Sequence, residues 1–219
     1  MVLAMGSYIS YGDMKVEAQR VSLDQFIQKI KRLFSEKTKM YGLKPAGLFI
    51  VFPVYPHISM KFSSYYRVFI NTFYGNLLNI AKESSKPLIS IDLEAMLHTV
   101  ISPMIYSALD YEKAVILPLS ESIGHEHLSK LMIRLHERFT MTGELIDVFD
   151  SAIVYIPHLG LWASNDDLSG MLRSLIKSYV KKALVILVSP SKDEIEKLNL
   201  SYEKLGGIPS VFEINLLGD

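Results

Sequence analysis

The 219-residue chain contains no cysteine, which excludes disulfides, thiolate metal ligands and a cysteine nucleophile together. It also has no excess of either charge, with Lys+Arg and Asp+Glu at 23 each. A global positive field of the kind that drives non-specific nucleic-acid binding is therefore absent, and any such contact must come from a local patch. No uninterrupted apolar run approaches the roughly 20 residues that span a bilayer. The opening stretch Met1 to Gly6 is apolar but has no basic region ahead of it, unlike a signal peptide. These absences lead to the expectation of a cytoplasmic protein with no membrane partner.

What the chain does have is apolar content, 49% of its residues, enough to bury one large core. Short continuous apolar runs recur at Leu48 to Phe52, Leu88 to Ile91, Ala114 to Leu117, Ala152 to Ile156, Leu184 to Val188 and Val211 to Leu216. Runs without polar alternation suit strands covered on both faces, as in parallel sheets. Between them lie segments of helical period. Leu168, Met171, Leu172, Leu175, Ile176, Tyr179 and Val180 recur at helix spacing after Asn165 or Asp166 as N-cap, and 125–141 repeats the pattern. Strand and helix alternating about five times predict an α/β layered fold with a mostly parallel central sheet and helices on both faces.

Ahead of the first strand, 22–40 reads as an extra helix, stopped by Tyr41-Gly42-Leu43-Lys44-Pro45. Residues 1–21 are weakly patterned and read as an irregular or strand-like arm. The expected organisation is an N-terminal arm and helix over 1–45 and an α/β core over 46–219.

Ligands of open α/β sheets bind beyond the carboxyl ends of the strands, so any chemistry is expected in the residues after each apolar run. A phosphate-binding loop reads G-x-x-x-x-G-K-[ST], because bare amides must approach the phosphates, a lysine must reach the terminal ones and a hydroxyl must hold magnesium. Aligned on Lys61, the loop after the first core strand has Tyr55 and Met60 at the glycine positions and Phe62 at the hydroxyl position. Pro53 and Pro56 remove two more backbone donors. A one-residue slip would bring Ser63 into the hydroxyl role. The strand 152–156 ends in Pro157-His158 where a magnesium-ordering acid would be needed.

The next strand end, Ile89-Ser90-Ile91-Asp92-Leu93-Glu94-Ala95-Met96, resembles that of the RecA/RadA/KaiC-like ATPase superfamily, in which an Ile-Asp-x-Glu segment supplies the glutamate that activates water. Glu94 is the matching position. Gly42 to Gly47 resembles the family's entry into its first core strand, and Asp167 to Pro190 resembles the helix and strand that follow the magnesium-binding strand. The resemblance spans about Gly42 to Pro190. It implies a three-layer RecA-like core with a short N-terminal helical extension, carrying a degenerate nucleotide site at Lys61, Ser63, Asp92 and Glu94. The departures at Tyr55, Met60, Phe62 and Pro157 imply a pseudo-ATPase without catalytic residues or cofactor. Its role would be that of an accessory or assembly protein in DNA recombination or repair, with a RecA-family recombinase, its own copies or single-stranded DNA as partner.

Several single features have plainer readings. Asp92 can simply cap the following helix. His125 and His127 are two residues apart at a helix start and do not share a face, so Gly124-His125-Glu126-His127 is not read as a metal site. Ser120, Ser122 and Ser189 follow strands, but none lies in a G-x-S-x-G elbow. Trp162 can stack a base or anchor a partner if exposed, and otherwise packs under its own loop. Lys31 and Arg32, among the basic residues of the early helix, and Lys177 and Lys181, with Arg173 and Lys182, are the candidate DNA or partner contacts. The runner-up reading is a small-molecule enzyme or ligand-binding protein on a generic Rossmann-like sheet, using Glu94, His158 or the strand-end serines.

Overall fold

A computed structural model of the chain describes residues 8–11, 14–35, 45–55, 62–97, 125–198, 200 and 208–216. The elements in order are β1 (Tyr8–Tyr11), β2 (Met14–Ser22), α1 (Leu23–Leu33), β3 (Gly47–Pro53), α2 (Phe62–Ser84), β4 (Leu88–Ser90), α3 (His125–Phe149), β5 (Ile153–Ile156), α4 (Leu159–Ala163), α5 (Asp166–Tyr179), β6 (Leu184–Val188), α6 (Lys192–Lys197) and β7 (Ser210–Asn215). The expected strand at Ala114 to Leu117 lies outside the described residues.

The strands form one seven-stranded sheet in the order β1-β2-β7-β3-β6-β5-β4. Only β1 is antiparallel, pairing with β2 as a hairpin, and every other neighbouring pair is parallel. Six carboxyl ends therefore share one edge. The apolar runs are explained by what lies above and below them. Leu48, Ile50, Phe52, Val154, Val185 and Leu187 face a core completed by α3, α4, α5 and α6. Phe49, Val51, Tyr155, Ile186 and Phe212 face a second core completed by α1 and α2. The result is three layers, with the central strands β5 and β6 buried at every residue.

Of the two forms expected for the N-terminal arm, irregular or strand-like, the described residues take the strand-like one. β2 pairs with β7 over Ala18 to Ser22, extending the sheet, and α1 packs on the same face as α2. Ser22 and Gln25 form a capping box, each side chain accepting from the other's backbone amide, at 3.2 and 3.0 Å, so the strand turns into the helix with its first donors satisfied. Phe26 sits at the centre of an aromatic group, with ring centroids 5.9 Å from Phe49, 5.4 Å from Phe73 and 4.9 Å from Phe212. The buried Glu213 carboxylate of β7 is held by Arg20 of β2 at 3.2 Å and Lys192 of α6 at 3.0 Å.

Two helices end without glycine. Ser85 and Asp150 take left-handed backbone angles, φ 55° and 58°, immediately after α2 and α3, the position at which a helix is closed off. Each then leads within three residues into a strand, which fixes the approach of β4 and β5 to the sheet.

Among the described residues, no helix is long and apolar enough to cross a membrane. The aromatic group predicts a sharp contrast between buried and exposed substitutions. Phe26→Ala is expected to lower the unfolding free energy by about 3–5 kcal/mol, whereas Lys31→Ala, which removes an exposed ion pair to Glu83, is expected to cost no more than about 1 kcal/mol, both read by urea denaturation.

Candidate functional site

Counting from β3 among the described residues, the five strands lie in the order fifth, first, fourth, third, second. The second is separated from the first by two strands, unlike either common doubly wound order, in which the first two are neighbours. The helix leaving β3, α2, covers one face, while those leaving β5 and β6 cover the other. Between the carboxyl ends of β3 and β6 the connections thus diverge, which is where an open α/β sheet presents its crevice.

The residues that gather there come from four elements. Glu94 comes from the helical turn at 93–97 after β4, and its carboxylate lies 3.2 Å from His158 Nε2. His158 follows β5 and has φ 56° and ψ 52°, a left-handed conformation that costs a histidine about 1–2 kcal/mol. Its surroundings hold it there: its ring meets Tyr66 of α2 edge-on at 5.6 Å, and its backbone amide donates to the Tyr66 hydroxyl oxygen. Tyr66 in turn directs its hydroxyl at the Val188 carbonyl, 3.5 Å away, at the end of β6. One α2 side chain therefore spans the ends of β5 and β6.

A second group adjoins the first. The Ser189 hydroxyl lies 2.7 Å from the Glu194 carboxylate of α6 and 2.8 Å from the Ser191 carbonyl. Glu194 also accepts from the backbone amide of Gly160. α4 begins at His158 without a side-chain cap, so this carboxylate from another element satisfies an amide left open at its start. Gly160 is required for that approach, because a β-carbon there would collide with the Glu194 carboxylate.

The electrostatics are those of an acidic strand end. Burial raises the Tyr66 hydroxyl far above its usual range, and the carboxylates of Glu194, Glu94 and Asp92 push it the same way. Burial does the same for Tyr155, followed by Tyr66 and Asp92. Both stay protonated. Burial also raises the Glu194 carboxyl, against the opposing pull of the Ser189 hydrogen bond and Lys197. The Tyr155 hydroxyl and the Trp162 indole nitrogen are buried without a hydrogen-bond partner among the described residues.

The sequence-derived candidates fare unevenly. Asp92 accepts from the Ala95 amide at 3.1 Å, the helix-capping geometry. Glu94 is brought to His158. Lys61 and the Ser63 side chain lie outside the described residues, as do Ser120, Ser122 and the side chains of His125 and His127. Trp162 is not a surface contact: it is fully buried, stacked on Phe139 at 6.5 Å. Lys31 is paired with Glu83, Lys182 with Asp147, and Arg173 donates to the Leu198 carbonyl. Arg32, Lys177 and Lys181 are exposed. α1 and α5 cover opposite faces of the sheet, so the two basic groups do not join into one patch.

Sequence reasoning missed Glu194 and Gly160. The glycine two residues beyond a strand-end histidine was a readable signal of close approach. Its partner 34 positions later became evident only once α4 and α6 were seen to adjoin.

No family model matches the chain, and no curated protein matches it either. Among solved structures, the chain is similar to the Aeropyrum pernix ORC1 protein in complex with DNA, with a TM-score of 0.41 and 9% identity over 86% of this chain and 44% of that one. It is similar also to Drosophila ORC bound to DNA, with a TM-score of 0.34 and 9% identity over 90% of this chain and 96% of that one. The chain thus spans less than half the length of the Aeropyrum chain. At these values the overlaps assign no family. The class defined by the coordinates themselves is an α/β protein with a mostly parallel seven-stranded sheet.

The Glu194 arrangement has a pH consequence. Its carboxyl holds a proton more tightly in the folded than in the unfolded chain, so the fold loses stability as pH rises from the ordinary value of 4.5 through the raised folded one. Glu194→Gln removes that dependence. The stability of the variant relative to the natural chain is expected to increase with pH across this window, as read by denaturation at a series of pH values.

Proposed function

We propose that the chain is a non-catalytic protein of RecA-like layout, a pseudo-ATPase that acts as an accessory or assembly factor in DNA recombination or repair through contacts with other proteins and with DNA. The observation that carries this reading is the Glu94–His158 contact of 3.2 Å. Glu94 stands where the resemblance places the glutamate that activates water, and here an imidazole occupies its carboxylate.

Two further features agree. The crevice gathers the carboxylates of Asp92, Glu94 and Glu194 around the Tyr66 hydroxyl, a field that repels a triphosphate. Pro53 closes β3, and Tyr55 after it packs edge-on against Tyr65 at 5.3 Å, so that bulky rings stand where bare amides would be needed. Loss of nucleotide chemistry leaves a rigid α/β body whose remaining use is to present surfaces.

One observation favours the runner-up, a small-molecule enzyme: Glu94 and His158 form a dyad with the geometry of an acid–base pair, and Ser189 lies on the same edge. The strand order counts against the Rossmann-like sheet on which that reading was based.

Nucleotide binding separates these readings from an active ATPase. A ligand at about 100 times its Kd stabilises a protein by about 2.7 kcal/mol, roughly 5–10 °C in Tm for a chain of this size. No shift is expected with ATP and magnesium together. A magnesium-dependent shift of that size, or hydrolysis abolished by Glu94→Gln, would overturn the pseudo-ATPase reading.

A further inference from the structure

Ser189 follows β6 and is fully buried, with 0% of its surface exposed, so the contacts of its hydroxyl are settled within the chain. Three polar groups surround that oxygen. The Ser191 carbonyl lies 2.8 Å away, the Glu194 carboxyl of α6 2.7 Å away, and the Ser191 amide, which donates to it, 3.4 Å away. A hydroxyl has one hydrogen to give and two lone pairs to offer. Between Ser189 and its two oxygen neighbours there are thus two short contacts and, while Glu194 is ionised, one proton to share.

A proton on Glu194 completes the set. Glu194 then donates to Ser189, Ser189 donates to the Ser191 carbonyl, and the Ser191 amide donates back to Ser189, so that each line carries its own hydrogen. A neutral carboxyl keeps acceptor capacity, and the Gly160 amide of α4 stays paired with it. Loss of the proton changes the choice open to the hydroxyl. A charged acceptor makes the stronger hydrogen bond, so the hydroxyl turns to Glu194, and its lone pairs then face the Ser191 carbonyl at 2.8 Å with no hydrogen between them. That contact has to open. Among the described residues, the charged and titratable groups facing Glu194 are His158 at the head of α4 and Lys197 on α6, both of which favour the carboxylate, and the protonated Tyr66 hydroxyl of α2, around which Glu94 and Asp92 also stand. Burial outweighs the two cations.

We propose that Glu194 is a proton-operated latch on the turn between β6 and α6: as a neutral acid it donates to Ser189 and locks the turn, and on losing its proton it draws the Ser189 hydroxyl to itself and releases the Ser191 carbonyl. The locked form holds at low pH and is lost as pH rises through the value at which the folded chain gives up this proton. Because Glu194 also holds Gly160, the change is felt at the start of α4 beside His158, and the crevice edge itself becomes sensitive to pH. The latch requires only these contacts and stands apart from the nucleotide question, so the two are tested separately.

NMR of the isotope-labelled chain over a series of pH values reads the latch directly. The Glu194 carboxyl resonance reports its own titration, and the Ser191 and Gly160 amides report the two ends. Both amides are expected to move together with the Glu194 carboxyl, at a pH above its ordinary value of 4.5. In Ser189→Ala the Ser191 amide is expected to lose this response, while Gly160, which donates to Glu194 directly, keeps it. Glu194→Gln, whose amide group donates to Ser189 as the neutral acid does, is expected to hold both amides fixed across the window. The remaining amide resonances check that each variant is folded. A Glu194 carboxyl that titrates at its ordinary value, a Ser191 response that survives Ser189→Ala, or amides that follow the His158 imidazole in place of Glu194 would each overturn the proposal.

Discussion

A sheet whose central strands are apolar on both faces constrains everything else in this protein. β5 and β6 are buried at every position, so helices must cover them above and below, and polar groups are pushed to the strand ends. With six parallel strands, the carboxyl ends gather on one edge. That edge is where Asp92, Glu94, His158 and Ser189 come to lie, although the chain separates the first from the last by almost half its length.

The polar groups on this edge are satisfied largely by one another. His158 is held by Glu94 and by the Tyr66 hydroxyl, Gly160 by Glu194, and Glu194 by Ser189. The arrangement gives the edge fixed internal anions near amides and an imidazole that an external anion would otherwise engage. The strained backbone of His158 persists because several contacts determine it at once. Such a site is built as a rigid junction between α2, α4 and α6, which fits a protein whose surfaces matter more than its cleft.

Much of this was legible in the sequence, for identifiable reasons. The runs that became β3, β5 and β6 are unbroken because both faces are buried, and Asn165 caps α5 through the amides of Asp167 and Leu168 as its position before the helical period implied. The strand-like character of the N-terminal arm was legible, but its place in the sheet was not. β2 pairs with β7 from the other end of the chain, and its alternation is diluted because its neighbour β1 is a short edge strand. The Ser22 and Gln25 capping box was a local signal that went unread. The Glu94–His158 and Glu194–Gly160 contacts were out of reach for a different reason: each joins separate elements whose adjacency depends on strand order, and no local pattern encodes that order.

The central claim is that the strand-end edge is closed by its own carboxylates and does not receive a nucleotide. The most direct measurement is the amide resonance of Gly160, whose donor is committed to Glu194, followed by NMR as magnesium and ATP are added to excess. The account expects the resonance to stay in place and to move only when Glu194 is titrated or replaced by glutamine. A saturable shift with magnesium and ATP at neutral pH would contradict it.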